Sequence, residues 1–510
     1  MSGANKVVKN SLLYTIANMV TKASTFLLLF IYTNPSFLST EDYGRVNLLT
    51  SFTNIAVLLV NLSLPYALIR FYAEYKLDKE KCRKFFGTIM TFMAVFGTAV
   101  VVLMIIFRNH IGNVLFKGIE IYPPVICTLL TLVFNALYQM YQSILQAKQQ
   151  GGKFTKNSLL FFFIHVGLNV LLLVFGRGRY LFGFELGGLN GMMLSLLVSN
   201  LVFAVYGIID MLRCKEMYFG IDRKMLSTAL RYSVPLLPHN IANNMASYIS
   251  KHFLNAAGKA FENGIYSVSM QFSSIIEIVQ SSIHHAFRPW FNDKMKLGEE
   301  GRKEIVDLAS VAFRISAIVC LGVALFSQEV VMLLDENYYD AWKYVPIIAV
   351  AHAVKFVYFT HTFGIMYDIK QSKKMFFCSG SAIVVNFTMS YILTEAGNYT
   401  MLTAALCFLL SRSTAALVSV IICRRNNIIK YNIREMLGKI LLVAAFSVAG
   451  LVPINVMYVG LENEIELFSA TFFINFAFKL VILAIGAVCI IGRKRKEIFS
   501  LLKGIVKKKL

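Results

Sequence analysis

The chain has 510 residues, of which 57% are hydrophobic and 15% charged, with a mean hydropathy of +0.62. A soluble domain is about 45–50% apolar and about 25% charged, so this composition belongs in a bilayer and excludes a water-soluble enzyme with a few anchors. The net charge of +22 does not indicate nucleic acid, because a nucleic-acid binder carries its charge on a soluble module and none is present.

Apolar segments recur at 11–33, 46–69, 85–107, 122–145, 158–175, 187–209, 233–256, 262–284, 305–327, 344–366, 375–394, 400–422, 439–459 and 467–491. None alternates with the period of a barrel strand, and helices satisfy their own backbone groups in lipid, so the fold class is an all-α polytopic membrane protein of about fourteen spans. With the N-terminus in the cytoplasm, 37 of the 50 Lys and Arg fall in inner connections and tails and 8 in outer connections. The positive-inside rule then places both termini in the cytoplasm. Most of the positive charge is thereby topology and contact with anionic lipids, and the tail Arg493-Lys494-Arg495-Lys496 with Lys507-Lys508-Lys509 is a segment of that kind. Lys22 interrupts the first apolar run and no small-residue cleavage pattern follows, so the first helix is expected to be retained. The eight Cys form no CxxC pair and none falls in an outer loop, which argues against disulfides and zinc.

A weak internal repeat is visible. Ile16-Ala17-Asn18 recurs as Ile241-Ala242-Asn243, and Gly44, Phe52 and Ile55 have counterparts in Gly264, Phe272 and Ile275. Six spans separate the copies, so the halves share one orientation about an axis along the membrane normal. The organisation expected is a six-helix lobe at 1–212, a second at 213–425, two further helices at 426–491 and a basic tail at 492–510.

Enzyme signatures are missing: there is no Walker loop, GxGxxG, HExxH or GxSxG. Asp335, Glu336 and Asp340 in an outer loop read as a solvated acidic face rather than metal ligands, and His284-His285 as an interfacial pair, since adjacent residues do not share a helix face. No catalytic residue, metal or cofactor is expected. The informative groups are ionisable residues at membrane depth: Lys22, Arg314, Lys355, Arg412 and Lys479, against Glu277 as the one comparably placed acid. A central charge costs about 2.5–3.5 kcal/mol on insertion scales and so faces a cavity or a partner. Glu277 can neutralise one cation, Arg314 or Lys355, and the surplus of about four points to a hydrated cavity with an anionic ligand, best a phosphate or pyrophosphate. Lys479, outside the repeat, is the weakest member of that set. Asn18, Asn54, Asn61, Asn135, Asn169, Asn243, Asn244 and Asn386, with Gln139, Gln142 and Gln271, are placed either to bond sugar hydroxyls or to bond helix to helix. Pro235 and Pro238 can break or bend the entrance of the seventh helix, which makes that helix a candidate gate.

The run Glu41-Asp42-Tyr43-Gly44, continuing through Ser51-Phe52 to Ala67-Leu68-Ile69-Arg70-Phe71-Tyr72, resembles the first helical hairpin of bacterial polysaccharide (Wzx-type) flippases. Arg231-Tyr232-Ser233-Val234-Pro235-Leu236-Leu237-Pro238-His239, followed by Gly264-Ile265-Tyr266-Ser267, resembles the start of their second half. The resemblance extends over essentially the whole chain and places it in the multidrug/oligosaccharidyl-lipid/polysaccharide exporter superfamily. It implies two six-helix lobes in a V around a central cavity, plus two C-terminal helices. It further implies alternating-access transfer of an undecaprenyl-pyrophosphate-linked oligosaccharide from the inner to the outer leaflet of the bacterial cytoplasmic membrane, beside a polysaccharide polymerase machinery. The chain departs from the family at Ser250-Lys251, where an Asp-Arg pair is frequent. That keeps a cation, makes Lys251 part of the candidate gate, and leaves Glu277 as the remaining acid for coupling.

The expected function is therefore a lipid-linked oligosaccharide flippase for capsule, O-antigen, exopolysaccharide or teichoic-type polymer, with Lys22, Arg314, Lys355 and Arg412 as its cationic site. The alternatives are a lipid II flippase and an ion-coupled drug or metabolite antiporter of the same superfamily. The sugar, the coupling ion, whether Na⁺ or H⁺, and the oligomeric state stay open.

Overall fold

The structure is a computed structural model and describes residues 26, 28–181, 183–367, 374–458 and 469–492. Helices make up nearly all of it. Those of 11 residues or more are α1 (Thr40–Asn61), α2 (Leu64–Tyr75), α3 (Lys79–Ile106), α4 (Ile126–Ala147), α5 (Gly151–Phe175), α6 (Gly188–Arg213), α7 (Arg223–Ser233), α8 (Leu237–Ala256), α9 (Ala260–Met295), α10 (Gly298–Val331), α11 (Val345–Tyr367), α12 (Met375–Glu395), α13 (Met401–Arg425), α14 (Ile433–Tyr458) and α15 (Ala470–Ile491). Among the described residues nine helices are long and apolar enough to cross a membrane, and α1 with the first part of α2 forms a tenth candidate bent by 52°. α8, α9 and α14 occupy the other three positions where the hydropathy pattern predicts spans. Of the predicted first span, 11–33, residues 11–25 and 27 lie outside the described residues.

Local chemistry sets the helix starts. The Ser39 hydroxyl accepts from the Asp42 amide, and Glu41 and Asp42 place negative charge on the first turn of α1, where free amides favour it. Asp78 and Asp222 each accept two backbone amides at the heads of α3 and α7, and Thr400 with Thr403 forms a capping box on α13. The α1–α2 bend falls at Leu62 and Ser63, whose φ angles are 48° and 56°. Neither is glycine, and the left-handed pair is held by the Ser63 amide donating to Asn61 Oδ1 at 2.8 Å. Between α5 and α6 a two-residue hairpin pairs Tyr180 with Glu185 and Leu181 with Phe184. Two acids of the loop between α10 and α11 take structural roles: Asp335 accepts the Asn337 amide at the head of the turn Glu336–Lys343, and Asp340 pairs with Lys343 at 2.5 Å.

The chain forms two compact units, Met1–Gly264 and Ile265–Leu510. In the first, Lys153 on α5 and Tyr141 on α4 both bond Asp210 on α6, at 2.6 and 2.8 Å, which ties three helices at one level. In the second, α10, α11, α13, α14 and α15 enclose a core that includes Phe291, Phe313, Phe356 and Tyr431. The division comes later than the repeat boundary expected at 212/213. The reason is α8: by sequence it begins the second half, yet it packs along α1 and carries polar side chains that bond there.

Candidate functional site

Two constellations gather the singled-out residues, one in each unit. In the first unit they lie on the seam between α1 and α8. Pro235 sits in a 3₁₀ turn, Val234–Leu236, that separates α7 from α8. Pro238 occupies the first turn of α8, where a missing amide costs no helical hydrogen bond, so the break lies before α8 rather than within it. Lys251 is buried, and its Nζ donates to Ser51 Oγ at 3.1 Å and Asn47 Oδ1 at 3.5 Å on α1. No carboxylate lies within 4.0 Å of that ammonium among the described residues. Asn240 Nδ2 donates to Ser63 Oγ at 3.0 Å near one end of the seam. Asn255 Nδ2 donates to the Lys117 carbonyl at 2.7 Å near the other. Ser250 faces its own helix, its hydroxyl 3.5 Å from the Ala246 carbonyl.

In the second unit, α9, α11 and α13 bring together Glu277, Lys355 and Arg412. Lys355 Nζ donates to Glu277 Oε1 at 2.8 Å and lies 5.3 Å from the centroid of Phe359, one turn along α11. Arg412 is buried, with Cζ 4.9 Å from the ring of Phe408, one turn back on α13. Its Nε has no hydrogen-bond partner, and among the described residues no carboxylate lies within 4.0 Å of its guanidinium. Glu277, Tyr358 and Tyr266 are the groups whose charge or dipole reaches Arg412. Beside this cluster lies a small apolar cavity of about 10 Å³ whose wall includes Gln280, His284, Phe287, Phe359 and Phe363. His284 packs on Phe363, their centroids 4.5 Å apart, as an aromatic wall member.

The other central charges are placed elsewhere, which corrects the expected surplus. Arg314 on α10 pairs with Glu435 at the head of α14, and Ser310 donates to the same carboxylate at 3.2 Å. Lys479 on α15 is fully buried and pairs with Glu329 at 2.7 Å while donating to Gln328 at 2.8 Å, both on α10. Asn475 adds a bond to Glu329 at 3.1 Å. Glu435 and Glu329 escape the hydropathy pattern because each lies a few residues beyond a predicted apolar segment, whereas α10 and α14 extend past those ends. Arg314 is thus held in an ion pair with Glu435. Lys22 lies outside the described residues.

Several of the singled-out amides bond protein instead of facing open space. Asn61 donates to Gln139 at 3.3 Å and Gln139 to Asn135 at 2.7 Å. Gln142 donates to Ser158 at 3.2 Å, and Asn169 accepts from Ser195 at 2.8 Å. These are helix-to-helix and within-helix bonds of a membrane bundle.

A family model described as "Polysaccharide biosynthesis protein" matches residues 7–295. No curated protein matches the sequence significantly. Among solved structures, a lipid II flippase, MurJ, in an inward closed conformation is similar in fold at 13% identity, with a TM-score of 0.68 over 95% of this chain and 99% of that one. A transporter of the multidrug/oligosaccharidyl-lipid/polysaccharide superfamily from Pyrococcus furiosus has a TM-score of 0.58 at 13% identity, over 82% of this chain and 95% of that one. A multidrug (MATE) transporter in complex with the ligand MaL6 has a TM-score of 0.57 at 14% identity with the same coverage.

Proposed function

The chain belongs to the polysaccharide biosynthesis protein family, and from that premise we propose that it is a flippase for polyprenyl-pyrophosphate-linked oligosaccharide. It is a multi-pass membrane protein with a transporter fold of the superfamily named above. The proposed task is transfer of the oligosaccharide repeat unit from the inner to the outer leaflet of the bacterial cytoplasmic membrane, with both chain termini on the cytoplasmic side.

Arg412 is the observation that carries the reading. An isolated buried cation is costly in a low-dielectric interior. Arg412 is kept without an adjacent carboxylate and beside a Lys355–Glu277 pair. A diphosphate brings the missing anion, and a guanidinium can take it with two parallel hydrogen bonds. The head group is too polar to cross lipid unaided, so the protein supplies the polar path while the prenyl chain stays in the bilayer. The α1–α8 seam is the proposed gate: Lys251 and the Asn donors of α8 are neutral-acceptor contacts that can break and re-form without separating an ion pair. Equal affinity in the two facing states would move nothing, so net transport draws on an ion gradient or on removal of product.

The test is translocation of a fluorescent prenyl-pyrophosphate oligosaccharide in proteoliposomes, comparing wild type with Arg412→Gln and Lys355→Gln. Wild-type flipping lost in both variants supports function and site together. Flipping retained in both moves the site elsewhere, and transport of lipid II in preference to the oligosaccharide reassigns the cargo. No flipping with either, under an imposed ion gradient, turns the reading to an antiporter.

A further inference from the structure

The second-unit cluster holds an asymmetry that bears on how cargo leaves. Arg412 is buried and Lys355 partly buried, while the Glu277 side chain is 37% exposed against 14% for Lys355. Each cation also rests against an aromatic ring of its own helix, so its position does not depend on Glu277 alone. The carboxylate is thus the most exposed member of a group whose two cations each contact an aromatic ring.

We infer that Glu277 is a tethered stand-in for the cargo's phosphate, occupying Lys355 when the site is empty and giving way to the phosphate when cargo arrives. The inference rests on the flippase reading and adds to it a role in release. Without a counter-charge the partly buried Lys355 ammonium would be destabilised, and a transporter whose only counter-charge is its cargo holds that cargo too tightly to turn over. An anion carried by the protein neutralises Lys355 in the empty state and competes with bound phosphate. It thereby lowers affinity and speeds release. A diphosphate outbids a single carboxylate on entry because it meets Lys355 and Arg412 together. A merely structural Glu277–Lys355 pair makes the opposite prediction, since its loss would weaken the site.

The experiment uses the purified full chain in nanodiscs, with inorganic pyrophosphate and sugar-free undecaprenyl pyrophosphate as probes. Binding is measured for wild type, Glu277→Gln, Glu277→Asp and Lys355→Gln, and flipping of a lipid-linked oligosaccharide is followed in parallel. The expected result is about ten-fold tighter binding of both probes by Glu277→Gln with slower flipping, about three-fold tighter binding by Glu277→Asp, and weakened binding by Lys355→Gln. The shorter Asp keeps the charge and tests the same point should the Gln variant not be isolable. Unchanged or weaker probe binding in both Glu277 variants overturns the inference, and the flippase reading survives if wild type still flips. Wild type that neither binds nor flips overturns both.

Discussion

Gly44 and Gly264 lie against each other: a Cβ built on Gly44 would sit 2.4 Å from the Ala260 carbonyl oxygen and 2.7 Å from the Gly264 amide nitrogen. A Cβ on Gly264 would meet the Thr40 carbonyl oxygen at 2.1 Å, and Asn263 Nδ2 donates to the Gly44 carbonyl at 3.0 Å across the same contact. Backbone cannot yield as a flexible side chain does, so even one methyl forces α1 and the start of α9 apart. Gly44→Ala and Gly264→Ala are each expected to destabilise by about 1–3 kcal/mol, the range for overpacking. Gly322, in the interior of α10, is the control: its Cβ would meet nothing within 4 Å, and alanine there is expected to stabilise by about 0.5–1 kcal/mol. Thermal unfolding of the three variants in detergent checks the order, and equal midpoints at Gly44, Gly264 and Gly322 would remove the contact from the account.

The gate reading of the α1–α8 seam makes a separate prediction at Lys251. Lys251→Met removes the donor shared by Ser51 and Asn47 and deprives two partly buried acceptors of it. Phe52 on α1, buried and 6.3 Å by centroid from Tyr248 on α8, marks the seam. In a background freed of native cysteines, a Phe52→Cys reporter is expected to react several-fold faster with a membrane-impermeant thiol reagent when Lys251 is Met. An unchanged rate means that Lys251 does not hold the seam.

The helical architecture was legible because hydropathy reports each span on its own: the described helices cover thirteen of the fourteen predicted segments. Gly44 and Gly264 stand out in the sequence, and the structure gives them a steric reason, since a helix contact this close admits no side chain. Partnership was less legible. Glu435 and Glu329 fall outside their predicted segments, and which cation each would meet depends on how α10 packs with α14 and α15. Ser51 and Asn47 carry no formal charge, so nothing in a charge count points from Lys251 to them. Glu277 is the one acid comparably placed in the sequence, and it is the packing of α9 on α11 that pairs it with Lys355.

Arg314 and Arg412 look alike in the sequence and are expected to behave differently. Arg314 is tied to Glu435, so Arg314→Gln leaves a carboxylate without its cation, and loss of stability is the expected effect, about 3–5 kcal/mol for a buried pair and less here because Glu435 is partly exposed. Adding Glu435→Gln should recover part of that loss. Arg412→Gln, which separates no ion pair, is expected to retain the wild-type unfolding midpoint within a few degrees while losing at least ten-fold in flipping rate. Matched unfolding and flipping measurements on the three variants decide it. A stable Arg314→Gln that flips poorly would return Arg314 to the binding site.

The Lys479–Glu329 pair sets how the last helix docks. Its ammonium is fully buried and engages two side chains of α10, and close packing surrounds it: Gly450 on α14 and Gly486 on α15 both face leucines of α10, Leu325 and Leu321. Removing one partner strands the other charge, so Lys479→Met and Glu329→Gln are each expected to cost about 3–5 kcal/mol. Replacing both with apolar residues removes the charges together, and Lys479→Met with Glu329→Leu should be markedly more stable than the two single losses combined, because a buried ion pair adds little over good packing. The measurement is a double-mutant cycle on thermal unfolding, with flipping followed in each variant. A double variant that is stable and still flips assigns the pair to assembly of α15 on α10. A stable double variant that has lost flipping would instead place Lys479 in transport, against its position away from Glu277, Lys355 and Arg412.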